Sequence, residues 1–279
     1  RTLARLFAFS AEHRNGAQAE FEKKLAVLTE MIRRGELPFD SAESEQAIAA
    51  WRAAGFPPCH HSEAFRRAYA PAYRLMKAAY APLLPLLCAA DARLAQGKRT
   101  ILAIDGPCGS GKTTLAALLA RLYDCPAFHA DDFFLRPEQR TPERFAEPGG
   151  NLDRERLLEE VLTPLRAGGP VAFRRFDCHT LTLQPPVTVA PSMLTIVEGS
   201  YCLHPELAPM YDISVCLTIS PELQRRRLLT RNGEDMAKRF FDRWIPLEQT
   251  YFDAMKPQER CDFTLDAAQL SSEVRETSR

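Results

Sequence analysis

The chain has 279 residues, room for one large domain or two moderate ones, and its 46% hydrophobic and 26% charged residues suit a globular protein with a substantial core. Lys+Arg and Asp+Glu both number 36, so no global field draws the chain toward nucleic acid or an anionic membrane surface, and neither is expected as a partner. The eight cysteines form no C-x-x-C pair and no zinc-like cluster with histidine, and no stretch approaches ~18 consecutive apolar residues, which together read as a reducing, cytoplasmic setting without a membrane span. The chain opens on Arg1 with no signal-peptide core behind it, and a start further upstream in the natural chain stays open.

Residues 1 to about 97 read as an all-helical region. From Ala17 to Arg34, apolar Phe21, Leu25, Leu28, Met31 and Ile32 recur at three- and four-residue spacing, and Gly35 supplies a stop. A second helix is expected over 41–54, capped by Ser41, with Ile48 and Trp51 on one face and Gly55 at its end. A third helical stretch runs from Ser62 through Ala95, where Pro71, Pro82 and Pro85 should kink or divide it. Adjacent His60 and His61 cannot share a helix face as a metal pair would. Tyr69, Tyr73 and Tyr80 read as packing residues. The region has three open uses: an effector part, a homo-oligomer interface, or a buttress for the sheet.

From Thr100 the texture changes to short apolar runs alternating with amphipathic segments, the pattern of an α/β fold with a mostly parallel sheet. Strands are expected near 100–105, 126–130, 171–176, 194–198, 213–219 and 262–265, and helices near 112–122, 153–167, 221–231 and 238–255. The first strand and first helix bracket Gly106-Pro-Cys-Gly-Ser-Gly-Lys112-Thr113, which fits G-x-x-x-x-G-K-[ST]. Backbone N–H groups of such a loop cradle phosphates, its lysine reaches the outer ones and its hydroxyl holds Mg²⁺. The match places a nucleoside triphosphate, ATP, with Mg²⁺ on Gly106, Cys108, Gly109, Ser110, Gly111, Lys112, Thr113 and Thr114. Only seven of the 36 basic residues are lysines, and Lys112 is one of them. Cys108 reads as small-residue filler in the loop.

Parallel strands deliver ligand-binding residues at their carboxyl ends. There the second strand offers Asp131-Asp132, a candidate general base and Mg²⁺ ligand, and the fourth offers Glu198-Gly199, a carboxylate in reach of metal-bound water. Asp153 opens a helix, so it reads equally as an N-cap or as a site residue. Residues 223–243 hold Arg225, Arg226, Arg227, Arg231, Arg239 and Arg243 around Asn232-Gly233, the composition of a closing lid. No guanine-reading Asn-Lys-x-Asp stretch occurs, which excludes a GTPase of that type. A nucleotide-gated interaction protein stays open as a second class.

Residues 100–267 resemble the phosphoribulokinase/uridine kinase group of P-loop kinases, in Gly106–Thr113, Asp131-Asp-Phe-Phe134, Asn151-Leu-Asp153, Phe176-Asp177 with His179, Glu198-Gly199, Tyr211-Asp-Ile-Ser-Val215 and the arginine stretch ending in Arg231-Asn-Gly233. The resemblance implies a three-layer P-loop sandwich and phosphoryl transfer from MgATP to a small-molecule hydroxyl, with a nucleoside such as uridine or cytidine first. It also implies catalytic Asp131, Lys112 and Arg231, with Asp131 as the base. Asp153 is then the sugar-hydroxyl ligand, Phe176 and His179 the base-recognition positions, Arg227, Arg231 and Arg239 phosphate contacts, and Thr113 and Glu198 Mg²⁺ ligands. Phe176 stands where uridine kinases present tyrosine, and the spacing from Asp177 to His179 is short for the group. Glycerate kinases of the same superfamily also carry helices before the loop and an Asp-Asp-Phe motif, which leaves a glycerate- or pantothenate-type acceptor as the alternative.

Overall fold

A computed structural model describes residues 1–12, 18–57 and 59–270, which pack as two compact bodies: Arg1–Leu6 with the chain from Met76 onward, and Phe7–Leu75. Ala17, the expected start of the first amphipathic helix, lies outside the described residues.

The 7–75 body holds the end of helix α1 (Thr2–Glu12), then α2 (Gln18–Arg33), α3 (Ser41–Ala53) and α4 (Glu63–Tyr69). Phe21, Trp51 and Phe56 meet edge to face at 5.1–5.4 Å between centroids, the arrangement that aromatic quadrupoles favour. Arg52 forks onto Glu22, with its closest N···O contact at 2.7 Å. The cap of α3 is Asp40 and not Ser41: Asp40 is extended and its carboxylate accepts the Glu43 N–H at 2.9 Å, so Ser41 already has helical geometry. Ala70 adopts a left-handed conformation before Pro71 and ends α4, since a residue before proline is barred from continuing a helix.

Pro82 and Pro85 then act as expected. They confine residues 78–83 to a 3₁₀ turn and start α5 (Leu84–Ala95) with proline in its first turn, where no N–H is missed. Helix α5 belongs with the sheet-bearing body. Leu86, Leu87 and Ala90 are buried, and Arg93 donates to Asp212 at 2.6 Å and to Thr100 Oγ1 at 3.2 Å. Residues 78–95 are long and apolar enough, by length and composition alone, to cross a membrane. In the fold, Tyr80, Leu83, Leu86 and Leu87 turn this apolar face inward.

Five strands form one parallel sheet: β1 (Thr100–Asp105), β2 (Ala127–His129), β7 (Leu194–Glu198), β8 (Ile213–Thr218) and β9 (Phe263–Asp266), in the order β2-β7-β1-β8-β9. Every residue of β1 and β7 is buried, the mark of strands covered on both faces. Ile101 packs with Val161, Leu162 and Tyr251 on one face. Helix α6 (Lys112–Tyr123) follows β1 and buries Leu115, Leu118, Leu119 and Leu122, so the chain is an α/β protein with helices flanking a parallel sheet.

The stretch expected as a sixth parallel strand, 171–176, is not in this sheet. It divides into β3 (Val171–Phe173) and β4 (Phe176–Asp177), each paired antiparallel in a two-stranded ribbon with β6 (Val187–Val189) and β5 (Thr182–Leu183) respectively. The physical reason is visible in burial: Val171 and Phe173 are covered while Ala172 is open, the alternation of a strand with one solvated face. Between β2 and β3 come α7 (Pro142–Ala146), then α8 (Arg154–Leu157) and α9 (Thr163–Ala167) joined by a π turn over 158–162. After β8, helix α10 (Pro221–Arg239), a π turn over 240–244, α11 (Ile245–Met255) and the short α12 (Pro257–Arg260) complete the body.

Candidate active site

The carboxyl end of β1 turns directly into the glycine loop. Asp105, the last strand residue, is fully buried, and its carboxylate accepts four bonds: the N–H groups of Gly106 (2.6 Å), Tyr201 (3.1 Å) and Leu203 (2.8 Å), and the Tyr251 hydroxyl (2.8 Å). Burial pushes its pKa up to about 6, against the pull of these donors and of Lys112. The loop is thereby tied to the turn after β7 and to α11.

Lys112 folds its ammonium back onto the loop, donating to Gly106 O (2.7 Å), Pro107 O (3.1 Å) and Ser200 Oγ (3.2 Å). Ser200 in turn donates to Glu248 of α11 at 2.7 Å, and the other Glu248 oxygen accepts the Cys108 N–H at 2.8 Å. From the opposite side Gln224 donates to Cys108 O at 2.9 Å, and Arg227 donates to Gly109 O and Ser110 O at 3.1 Å and to Ala267 O at 2.8 Å. The loop's carbonyls and the amides of Gly106, Cys108 and Ser110 are thus held by protein. The N–H groups of Gly109, Gly111, Lys112, Thr113 and Thr114 have no acceptor among the described residues. Free donors at a helix N-terminus fit the phosphates of a nucleotide.

Beside the loop, Thr113 Oγ1 donates to Glu198 Oε1 at 3.1 Å, and the same oxygen meets His129 Nδ1 at 2.5 Å. The bond to Glu198 raises the His129 pKa above that of a free imidazole. Strand ends β2 and β7 approach so closely here that a Cβ on Gly199 would strike that of Ala130, which is why glycine follows Glu198. No group of three or more His, Cys, Asp or Glu side chains suited to a metal ion occurs among the described residues. A hydroxyl and a carboxylate in contact suit Mg²⁺, which usually takes one or two protein oxygens and completes its shell with phosphates and water. Asp131, in the 3₁₀ turn 130–133, opens on the same space. Crowding by protein, chiefly, lifts its pKa above the ordinary carboxylate range, with Lys112 opposing.

The loop, Thr113, Glu198, Asp131, Ser200 and Glu248 line one cavity of about 1360 Å³. Of the residues expected from sequence, Cys108, Gly109, Gly111, Lys112, Thr113, Thr114, Asp131, Glu198, Arg227 and Arg231 border it. Gly106 and Ser110 are buried beneath the loop. Four others stand apart from the lining. Asp153 is the N-cap of α8, with one oxygen on the Arg156 N–H (3.1 Å) and the other on Gln139 Nε2 (2.9 Å), so both are occupied. Phe176 is 4% exposed under the Arg140 guanidinium, His179 is exposed on the turn after β4, and Arg239 is exposed at the end of α10. The lid expected at 223–243 is helix α10 broken at Gly233 (φ 73°, ψ 174°), a conformation open almost only to glycine. Arg226 and Arg231 before the break and Arg243 after it face the cavity.

Several participants are absent from the sequence reading. Asp105, Ser200, Gln224 and Glu248 hold the loop, His129 holds Glu198, and Arg140 lines the cavity together with Arg243 of the expected lid. Their partners are remote in the chain, Cys108 and Glu248 being 140 positions apart, so no contiguous motif contains both.

No family model matches the chain. Among solved structures it is similar to a possible uridine kinase from Bacillus stearothermophilus (24% identity, 65% of this chain and 100% of that one, TM-score 0.48). It is also similar to a protein provisionally named a fructose transport system kinase from a Silicibacter species (23%, 68% and 99%, TM-score 0.49) and to a shikimate kinase from Bacteroides thetaiotaomicron (19%, 63% and 95%, TM-score 0.33).

Proposed function

We propose that this chain transfers a phosphoryl group from MgATP to a hydroxyl of a small molecule. The observation that carries the reading is the meeting, in one cavity, of a glycine loop and helix start with five amides that have no acceptor among the described residues, the Thr113–Glu198 pair and a carboxylate, Asp131, that serves neither. When bound, MgATP supplies the phosphoryl group and the cation that offsets its charge. The free loop amides hold phosphate oxygens, and Lys112 exchanges its carbonyl partners for them. Thr113 and Glu198 are the oxygens available to the ion. Asp131 takes the proton of the acceptor hydroxyl, and its raised pKa makes it a stronger base than a free aspartate. Arg226 and Arg231 carry positive charge to the cavity just before the Gly233 break, where closure would exclude water.

A nucleoside such as uridine or cytidine is the acceptor that the family resemblance favours, with a glycerate- or pantothenate-type acceptor next. Asp153, Phe176 and His179, on which the nucleoside reading leans, are not among the residues lining the cavity. The acceptor is accordingly proposed as a small hydroxylated compound. Eight free cysteines accord with a reducing, cytoplasmic setting. Asp131→Asn tests the assignment of the base: kcat is expected to fall at least 100-fold with KM for ATP within threefold. A selective loss of ATP affinity would instead make Asp131 a nucleotide ligand.

A further inference from the structure

The end of the cavity beyond Asp131 carries charge that phosphate binding and proton removal do not use. Its wall is the segment 131–153, drawn together by the Leu135 N–H on Asn151 O (3.3 Å) and by Arg144 on Gly150 O and Leu152 O (both 3.0 Å). Arginines on and beside this wall are paired with carboxylates. Arg136 lies 3.2 Å from Glu138, Arg144 2.8 Å from Glu155, Arg154 3.1 Å from Glu147, Arg156 3.5 Å from Glu160 and Arg175 3.5 Å from Asp132. Arg174 instead donates to Gln184 O and Leu183 O, and the other exceptions are Arg140 and Arg243, which line the cavity. Neither has a carboxylate within 4.0 Å among the described residues.

What holds these two guanidinium groups leaves donors over. Arg140 gives only its Nε–H to Leu135 O (3.0 Å), with its plane 5.7 Å from the Phe176 ring. Arg243 lies over the rings of Phe145 (5.7 Å) and Trp244 (5.1 Å), which steady it without using its N–H groups. The carboxylates that line the cavity have other partners or another task. Glu248 receives Cys108 and Ser200, Glu198 receives Thr113 and His129, and Asp131 stands at the reacting end. Arg226 and Arg231, also in the lining and without a carboxylate partner among the described residues, are assigned to the phosphates. Arg140 is half-buried and Arg243 exposed as the cavity stands. Once closure excludes water, a neutral acceptor would leave these two without a counter-charge, whereas an oxyanion matches their forked donors.

Resting on the phosphotransferase reading, we propose that the acceptor is an anion: a small hydroxylated compound whose carboxylate or phosphate monoester is held by Arg140 and Arg243 while its hydroxyl faces Asp131.

Turnover of MgATP on matched pairs tests this: glycerol against glycerate, ribose against ribose 5-phosphate, uridine against UMP. The charged member of at least one pair is expected to exceed its neutral partner tenfold or more in kcat/KM. Arg140→Gln should raise KM for that charged member at least tenfold with KM for ATP within threefold, Arg243→Gln should act in the same direction, and Arg140→Lys should restore part of the loss. Preference for the neutral members, or an unchanged KM in Arg140→Gln, overturns the proposal. If no member is phosphorylated, the phosphotransferase reading fails on its own account, and calorimetry with the charged members in the absence of nucleotide decides the subsite. Binding that Arg140→Gln abolishes sustains it; no binding, or binding that Arg140→Gln leaves intact, overturns it.

Discussion

His204 illustrates how a single side chain sets a pH limit far from the chemistry. It is 6% exposed, stacks on Tyr251 at 6.5 Å between centroids, and its Nδ1 accepts the Glu206 N–H, which requires an unprotonated nitrogen. Burial lowers its pKa to about 4; Arg154 and Arg144 push the same way, while Glu206 and Glu147 oppose. An unfolded histidine titrates near 6.5, so between that pH and about 4 the folded chain binds fewer protons than the unfolded one. The stability from keeping His204 neutral is therefore complete above about pH 6.5 and is lost as pH falls toward 4, to a total of about 3 kcal/mol. Urea unfolding of wild type and His204→Gln at pH 7 and pH 4.5 checks this: the wild-type midpoint should fall further on acidification, and equal falls would contradict the assignment. At this scale the sequence reveals the contiguous parts of the site. Lys112, Thr113, Asp131 and Glu198 were legible because each sits in a short run with its own signature. His129, directly before Ala130-Asp131, has no signature of its own in the sequence, because its partner Glu198 is 69 positions away.

Two elements control how the loop meets its ligand. Helix α11 reaches the loop through Glu248, whose two oxygens hold Cys108 and, by way of Ser200, touch Lys112. Glu248 orients the loop and is assigned no contact with the transferred group, so Glu248→Gln should lower kcat/KM about 10- to 100-fold, roughly 1.4–2.8 kcal/mol. Glu248→Ala, which leaves the Cys108 N–H without its acceptor, should in addition lower the melting temperature. Kinetics and thermal unfolding together would sink this role if both variants kept wild-type turnover. Helix α10 depends on Gly233. A Cβ there meets nothing within 4 Å, so the obstacle to another residue is the backbone angle and not space. Gly233→Ala is expected to keep the bend at a cost of about 1–3 kcal/mol or to straighten the helix, and in either case to reduce kcat more than it alters ATP binding. An unchanged kcat would remove the hinge from the account. The position of this break was readable from Asn232-Gly233 within an arginine-rich helix. The antiparallel ribbons at 171–189 were not, because three apolar residues in a row look the same in a buried parallel strand and in a short half-exposed one.

At the scale of the whole molecule, five parallel strands place the loop, Glu198 and Asp131 at one edge of the sheet, and this arrangement stems from the alternation of short apolar runs with helices that the sequence displays. The acceptor end was less legible. It is built by the segment 134–153, which has no repeating pattern, and by the far side of the Gly233 break, and Arg140 and Arg243, with no carboxylate partner among the described residues, stand out only once the pairing of their neighbours is known. Helix α5 likewise reads as part of the amino-terminal helices in sequence, yet packs with the sheet, because its buried face and Arg93 both have their partners there. The central claim is that this chain spends MgATP on an acceptor. The most direct measurement is ADP release by the purified protein with Mg²⁺, with and without each acceptor, alongside Lys112→Ala. Acceptor-dependent ADP release that disappears in a folded Lys112→Ala protein is the predicted result. Tight ATP binding with no release on any acceptor, or release undiminished in Lys112→Ala, would contradict it.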